Sequence, residues 1–367
     1  MEWPQYNNAV PGRLRHAPAA RPAQACGRLI PRHTLTAETA MPRIPTSGRA
    51  LGPLPLAILF MTLLVPLPGC ANHARVVSLA GVGADITPPP RVELCGTLSL
   101  PSHWPDGTPV NGLSDLVWER DAGLLHMVSD RGWLHRARPR FEDGQLVGLS
   151  PIDSHRLRDG DGLPLEGSSA DAESLSLLHG TNGKLGDSEF WVSFERDHRL
   201  QRFDRDGGPL AAPIRPAQAA DAAPNKGMEA MTELPKHGLI LGLESPPPGA
   251  APGETRLFTL DGKQWRYPLA APTGSALTEL TADGDDLLAL ERAFAPPAPL
   301  VISLRRVRLG EPPELDVETL ASFSSADGWW LDNMEGLTRL DDGRLLLLSD
   351  DNASPLQRSL LVCLRPR

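Results

Sequence analysis

The chain has 367 residues, 41% of them hydrophobic and 5% aromatic, with 38 prolines, 34 glycines and a formal net charge of −9. That apolar content suffices for a sizeable core, and the proline and glycine content suits a turn-rich fold rather than long amphipathic helices. The acidic balance argues against nucleic acid as a partner and suits a surface that binds cations.

Residues 1–40 are rich in arginine and lack apolar periodicity, and they read as a misassigned leader upstream of a start at Met41. From there a short basic stretch with Arg43 and Arg49 runs into apolar residues from Leu51 to Val65, then Leu67-Pro68-Gly69-Cys70. This order is that of a secretory signal, too short and too broken by proline for a good membrane span. Residues 41–69 resemble a bacterial lipoprotein signal peptide, with Cys70 as the lipidated residue; the alternative is an ordinary signal peptide beside a chance cysteine. The expected localisation is the periplasm or cell envelope, with membrane contact through the lipid anchor. Removing residues 1–70 takes away seven arginines and two glutamates and leaves 29 basic and 43 acidic residues, a net of −14. Residues 70–90, with Pro88-Pro89-Pro90, read as a tether, and residues 91–367 as one domain.

Within that domain one phrase recurs five times, with an acid at each end of a pair of short apolar runs. The clearest copy is Asn333-Met334-Glu335-Gly336-Leu337, a turn, then Leu345 to Asp351. Others begin at Ala172-Glu173-Ser174, Met228-Glu229-Ala230, Thr278-Glu279-Leu280 and Asn111-Gly112-Leu113. Aligned on Glu335, the copies fall at Asn111, Glu173, Glu229, Thr278 and Glu335, with spacings of 62, 56, 49 and 57 residues. Short strands at this period predict an all-β fold, a β-propeller in which each copy is one blade. Five blades are visible and a sixth, degenerate one is left open.

Propellers often close by pairing the first strand with the last blade, which would lay Cys95, in Val92-Glu93-Leu94-Cys95-Gly96, beside Cys363, in Leu361-Val362-Cys363-Leu364. A disulfide between them suits an oxidising compartment, and two buried free thiols are the alternative.

Each anchor acid enters the innermost strand of a blade, and the second acid leaves the antiparallel neighbour, so both positions lie at one end of the disc. The set is Asp130, Glu173, Glu195, Glu229, Glu244, Glu279, Glu291, Glu335, Asp350 and Asp351. Carboxylates crowded around one opening repel each other unless a cation sits among them, and hard oxygen ligands suit calcium. Asp130, Glu173, Glu229, Glu244, Glu335 and Asp350 are the candidate metal ligands, with Glu173, Glu229, Glu335 and Asp350 also the catalytic candidates. Arg131, Arg196, Lys226 and Arg292, interleaved with them, are candidates for holding the anionic part of a small ester substrate. The competing role for any one acid is to cap backbone amides or to tie blades together through an arginine.

At these residues the chain resembles the phytase-like domain family, described as having the esterase-like activity of phytase. The phrases that carry the resemblance are Leu125-His126-Met127-Val128-Ser129-Asp130-Arg131-Gly132, Asp171-Ala172-Glu173-Ser174-Leu175, Asn225-Lys226-Gly227-Met228-Glu229-Ala230-Met231 and Asn333-Met334-Glu335-Gly336-Leu337. The resemblance implies a secreted or periplasmic propeller that hydrolyses an ester or phosphoester. Asn111 and Thr278 depart from the acidic anchor in two copies.

Other chemistries find less support. There is no Gly-x-Ser-x-Gly turn for a serine nucleophile, no glycine-rich phosphate loop, and no histidine spacing suited to zinc. His126, His179, His198 and His237 read as core or solvent-facing residues, and Trp329-Trp330 as packing between blades rather than a substrate wall. The expected function is metal-assisted hydrolysis by a monomeric propeller. The alternatives are a non-catalytic binding propeller and a calcium-dependent lactonase.

Overall fold

The computed structural model describes residues 73–220 and 222–367; the signal-like segment and Cys70 lie outside the described residues. The chain begins with an edge strand β1 (Arg75–Val76) and β2 (Val92–Ser99), then builds blade 1 from β3 (Leu113–Glu119), β4 (Leu124–Ser129), β5 (Trp133–Glu142) and β6 (Gln145–Arg156). Blade 2 follows with β7 (Ala172–Leu178), β8 (Glu189–Phe194) and β9 (Arg199–Asp204), and blade 3 with β10 (Met228–Leu234), β11 (Gly238–Leu243), β12 (Glu254–Thr259) and β13 (Gln264–Pro268). Blade 4 holds β14 (Ser275–Asp283), β15 (Asp286–Ala293), β16 (Val301–Leu309) and β17 (Leu315–Ser324), and blade 5 holds β18 (Asn333–Arg339), β19 (Leu345–Asp350) and β20 (Leu360–Pro366).

These strands form five antiparallel sheets, so the described residues make a five-bladed propeller. Strands near the axis are covered by neighbouring blades on both faces and read as unbroken apolar runs, whereas outer strands alternate. Every residue of β4 and β19 is buried, while β17 alternates between half-buried and exposed positions over most of its length. Cores form between blades: Leu290, Ile302 and Phe323 of blade 4 pack with Met334, Leu345 and Leu360 of blade 5. Blade 2 has three strands because Pro209 and Pro213 interrupt its outer edge, leaving only the bridges Leu200↔Ile214 and Phe203↔Pro209.

The ring closes as expected. β2 pairs antiparallel with β20, and blade 5 has the order β1-β2-β20-β19-β18. A disulfide joins Cys95 to Cys363 across that seam, at a Cα separation of 4.9 Å. The segment read as a tether is packed against the disc: β1 extends the closing blade, and Leu79 is buried in the core shared by blades 4 and 5. Trp329 is buried edge-on against Phe323, and Trp330 lies beneath the guanidinium of Arg358, so neither lines the central opening.

The recurring phrase has a structural meaning that its residue types alone do not reveal. Each innermost strand carries a β-bulge, which sets two residues opposite one and redirects their side chains. The bulged residues are Ser114, Glu173, Glu229, Thr278 and Glu335. Blade 1 is therefore aligned through Ser114, three residues beyond Asn111, because no acid marks its bulge.

Candidate functional site

The bulges and the strand exits meet at one end of the central channel, around a cavity of about 660 Å³. The bulges of blades 2, 3 and 5 place Glu173, Glu229 and Glu335 in its wall. The residues leaving the second strands are Asp130, Glu195, Glu244, Arg292 and Asp350, one from each blade, and all five line the cavity. Register explains why blade 4 contributes an arginine here. Glu291 pairs with Leu277 within the strands, so the exit position that is acidic in four blades is Arg292 in the fifth. Glu291 is instead fully buried between blades 3 and 4, accepting hydrogen bonds from Tyr267 Oη, Ala270 N, Ser275 Oγ and Arg305.

Asp171, two residues before Glu173, is brought to the same group, and Asp171, Glu173 and Glu195 each place a carboxylate oxygen within 4.8 Å of the others. Asp171 precedes β7 and Glu173 is its bulged residue, so strand alternation does not link them, and the available signal for Asp171 was its place in the Asp171-Ala172-Glu173 phrase. Asp332 also lines the cavity, paired to Arg358 Nε at 2.9 Å.

Most of these carboxyls are held above their ordinary range. Burial pushes Asp130 up to about 6, Glu335 to about 7 and Asp350 to about 8, with neighbouring acids adding to the rise at Asp130 and Asp350 and Arg292 opposing it at Glu335. Glu173 and Glu229 are raised well above it, first by burial and then by the surrounding glutamates. Asp171 and Glu195 move the same way from burial. Two oxygens, Asp130 Oδ1 and Asp171 Oδ2, are buried without a hydrogen-bond donor; Arg196 Nε approaches the latter to 2.8 Å without hydrogen-bond alignment. Gly112 makes room for Asp130. It has φ of +67°, and a Cβ there would meet Asp130 Oδ1 at 2.0 Å. Under-compensated hard oxygen donors on rigid strands fit a divalent cation such as calcium.

The candidate cations are already engaged. Lys226 Nζ donates to both oxygens of Glu244, at 3.1 and 2.8 Å, while Arg292 bridges Glu335 at 3.1 Å and Glu244 at 3.4 Å. Asn333 Nδ2 donates to the same Glu335 oxygen at 2.7 Å. Arg196 and Lys226 remain about half exposed at the rim, Arg292 is largely covered, and Arg131 stands outside the cavity wall, 3.8 Å from Asp130. Asp351 lies off the cavity and accepts from Gly112 N and Ala353 N, a turn-stabilising role.

Glu279 is not at the mouth. In blades 1 and 4 the acid follows the bulge instead of occupying it, and Asp115 and Glu279 sit deeper, hydrogen-bonded to each other in the channel. Both border a second cavity, of about 600 Å³, at the opposite face. Asp115, like Glu279, belongs to the channel beneath the mouth and not to the carboxylates that line it.

Among the other expected residues, His126 is buried against Glu119 at 2.6 Å, His179 borders the opposite cavity, and neither His198 nor His237 lines the mouth. Zinc-type histidine clusters are absent among the described residues.

No curated protein matches the chain. Among solved structures it is similar to U3-55K (10% identity, TM-score 0.39, covering 77% of this chain and 100% of that one). It is similar also to the Dos1 propeller (8%, 0.34, 73% and 73%) and to the Neurospora crassa Pan2 WD40 domain (11%, 0.34, 76% and 96%). The family model for the esterase-like activity of phytase matches residues 108–353, around the whole ring of carboxylates, and the chain belongs to this phytase-like family.

Proposed function

We propose that this phytase-like propeller is a metal-assisted hydrolase of an ester or phosphoester, acting at the acidic mouth with calcium as its cation. The observation that carries the proposal is the Asp171, Glu173 and Glu195 group, three carboxylates with ligand atoms within 4.8 Å of one another. These three would hold the ion, with Glu229, Glu335, Asp350 and Asp130 around them. What calcium supplies when bound is Lewis acidity toward the ester oxygen and a more acidic bound water.

The chain's own groups supply the rest. Glu335 and Asp350, raised to about 7 and about 8, hold or release a proton near neutral pH and are placed for general acid–base work. Arg292 keeps Glu335 oriented and opposes its protonation. Arg196 and Lys226, half exposed at the rim, face the negative part of an incoming substrate. An exported setting is supported by the signal-like order of residues 41–70 and by the Cys95–Cys363 bridge, a bond suited to an oxidising compartment.

The test is turnover of phosphomonoesters, phosphodiesters, inositol phosphate, carboxyl esters and lactones, each with calcium and with chelator. Calcium-dependent turnover of a carboxyl ester or phosphoester is expected. Turnover of lactones alone would reassign the chemistry, and silence across the panel from folded, calcium-loaded protein would leave a binding propeller.

A further inference from the structure

The mouth is chemically two-sided. Carboxylates occupy most of the wall, but blade 4 and the entry to blade 5 add three apolar side chains, Phe294, Leu300 and Leu331, to the same cavity, beside Arg292, Asp332 and Asn333. Phe294 is 63% exposed, the largest hydrophobic side chain on that wall. Its backbone N–H donates to Gly274 O at 3.3 Å, which links the loop after β15 to the turn before β14. A Cβ on Gly274 would come within 3.0 Å of Phe294 O, so the two loops are in close contact. Leu300 and Leu331 are half-buried and continue inward into the apolar core between blades 4 and 5. Leu331 also borders a small apolar gap among Ile302, Phe323, Met334 and Val362.

Charge points the same way. Nine carboxylates line the cavity against Arg196, Lys226 and Arg292, and each of those cations has a carboxylate partner. With no unpaired side-chain cation among the described residues of the wall, a polyanionic substrate would depend on the bound metal alone for its attraction, whereas an ester with little charge and an apolar group would not. An exposed aromatic wall beside a polar reaction centre is the usual construction of a pocket that binds one substrate end by burial and the other by polar contacts.

We propose that the Phe294, Leu300 and Leu331 wall seats an apolar acyl or aryl group of the substrate, with Phe294 determining specificity; the proposal rests on the hydrolase reading of the same mouth. It makes the substrate an ester with an apolar arm rather than a multiply phosphorylated polyol.

The experiment compares kcat/KM of the full chain, with calcium, for p-nitrophenyl acetate, butyrate and octanoate and for inositol hexakisphosphate, in wild type and in F294S. Each methylene taken out of water contributes about fourfold, so the octanoyl ester is expected to exceed the acetyl ester by on the order of tenfold or more. F294S, at an exposed position, should keep the fold and reduce the octanoyl-to-acetyl ratio by about tenfold. An equal ratio in the two proteins, or preference for inositol hexakisphosphate over every apolar ester, overturns the proposal. If nothing is hydrolysed, the hydrolase reading fails, and calorimetric titration of octanoate against acetate in calcium decides the wall by itself. Octanoate binding lost in F294S upholds the apolar seat, and no preference for octanoate overturns it.

Discussion

Asp115 of blade 1 and Glu279 of blade 4, on non-adjacent blades, hydrogen-bond to each other in the axial channel, with Ser174 Oγ 3.4 Å from the first and 3.2 Å from the second. Each also accepts a backbone N–H from a blade between them, Asp115 from Leu175 at 2.7 Å and Glu279 from Met231 at 3.1 Å. The pair therefore ties four strands of four blades beneath the mouth. Burial raises Asp115 to about 7 and Glu279 well above its ordinary value, so near neutral pH the two share a proton.

Replacing Glu279 by glutamine keeps the acceptor for Met231 N and removes the second negative charge. E279Q should melt higher than wild type at pH 8 and about equally at pH 5. E279A leaves the N–H groups of Met231 and Leu280 without their acceptor and should cost about 1–3 kcal/mol at both. Equal melting of E279Q and wild type at pH 8 would show that the shared proton carries no stability.

The mouth predicts how stability varies with pH in chelator. Asp130, Glu335 and Asp350 have folded-state values of about 6, 7 and 8, all above those of an unfolded chain. The folded protein then binds more protons than the unfolded one between about pH 4 and pH 8, so this stability is fully present below about pH 4 and declines as pH rises through 6 to 8. Thermal melting in chelator should fall by on the order of 5 °C from pH 5 to pH 8. Calcium should restore it at pH 8 and have little effect at pH 5.

D171N/E173Q removes two of the three convergent carboxylates without changing side-chain size. Calcium affinity by calorimetry should fall at least tenfold, while melting in chelator at pH 8 rises because two crowded charges are gone. A destabilised variant would instead assign the pair a purely structural role, as Glu291 has.

The Cys95–Cys363 bridge joins residues 268 positions apart in sequence. Its loss in C95S/C363S should lower the unfolding free energy by about 5–6 kcal/mol on the chain-entropy account. Urea unfolding with and without reductant measures this directly, and wild type in reductant should approach the variant.

The blades and their closure were legible because a strand-rich repeat leaves a mark wherever apolar runs and turns alternate. The two cysteines were legible because they stand on the strands that close such a ring. Register was not. Glu291-Arg292 looks like Glu195-Arg196 as a string, yet a one-residue difference in pairing sends Glu291 into a buried network and Arg292 into the mouth. A one-residue slip in a strand exchanges its faces, and residue type alone does not reveal it. Asp115 was hidden for the same reason, since Ser114 rather than an acid occupies its bulge. Arg196 and Lys226 pair within their own blades, with Asp171 and Glu244, whereas the pairing of Arg292 with Glu335 and Glu244 depends on which blades adjoin blade 4, which no local phrase encodes.

Because blade 5 is completed by β2, the mouth is assembled in time as well as in space. Glu335 and Asp350 stand on strands of that blade, and β20, the partner of β2, follows them in sequence. In chain order, then, the strand that closes the ring is the last to become available. The crowding of charges around one axis is complete only when the final strand pairs with β2 and closes the seam.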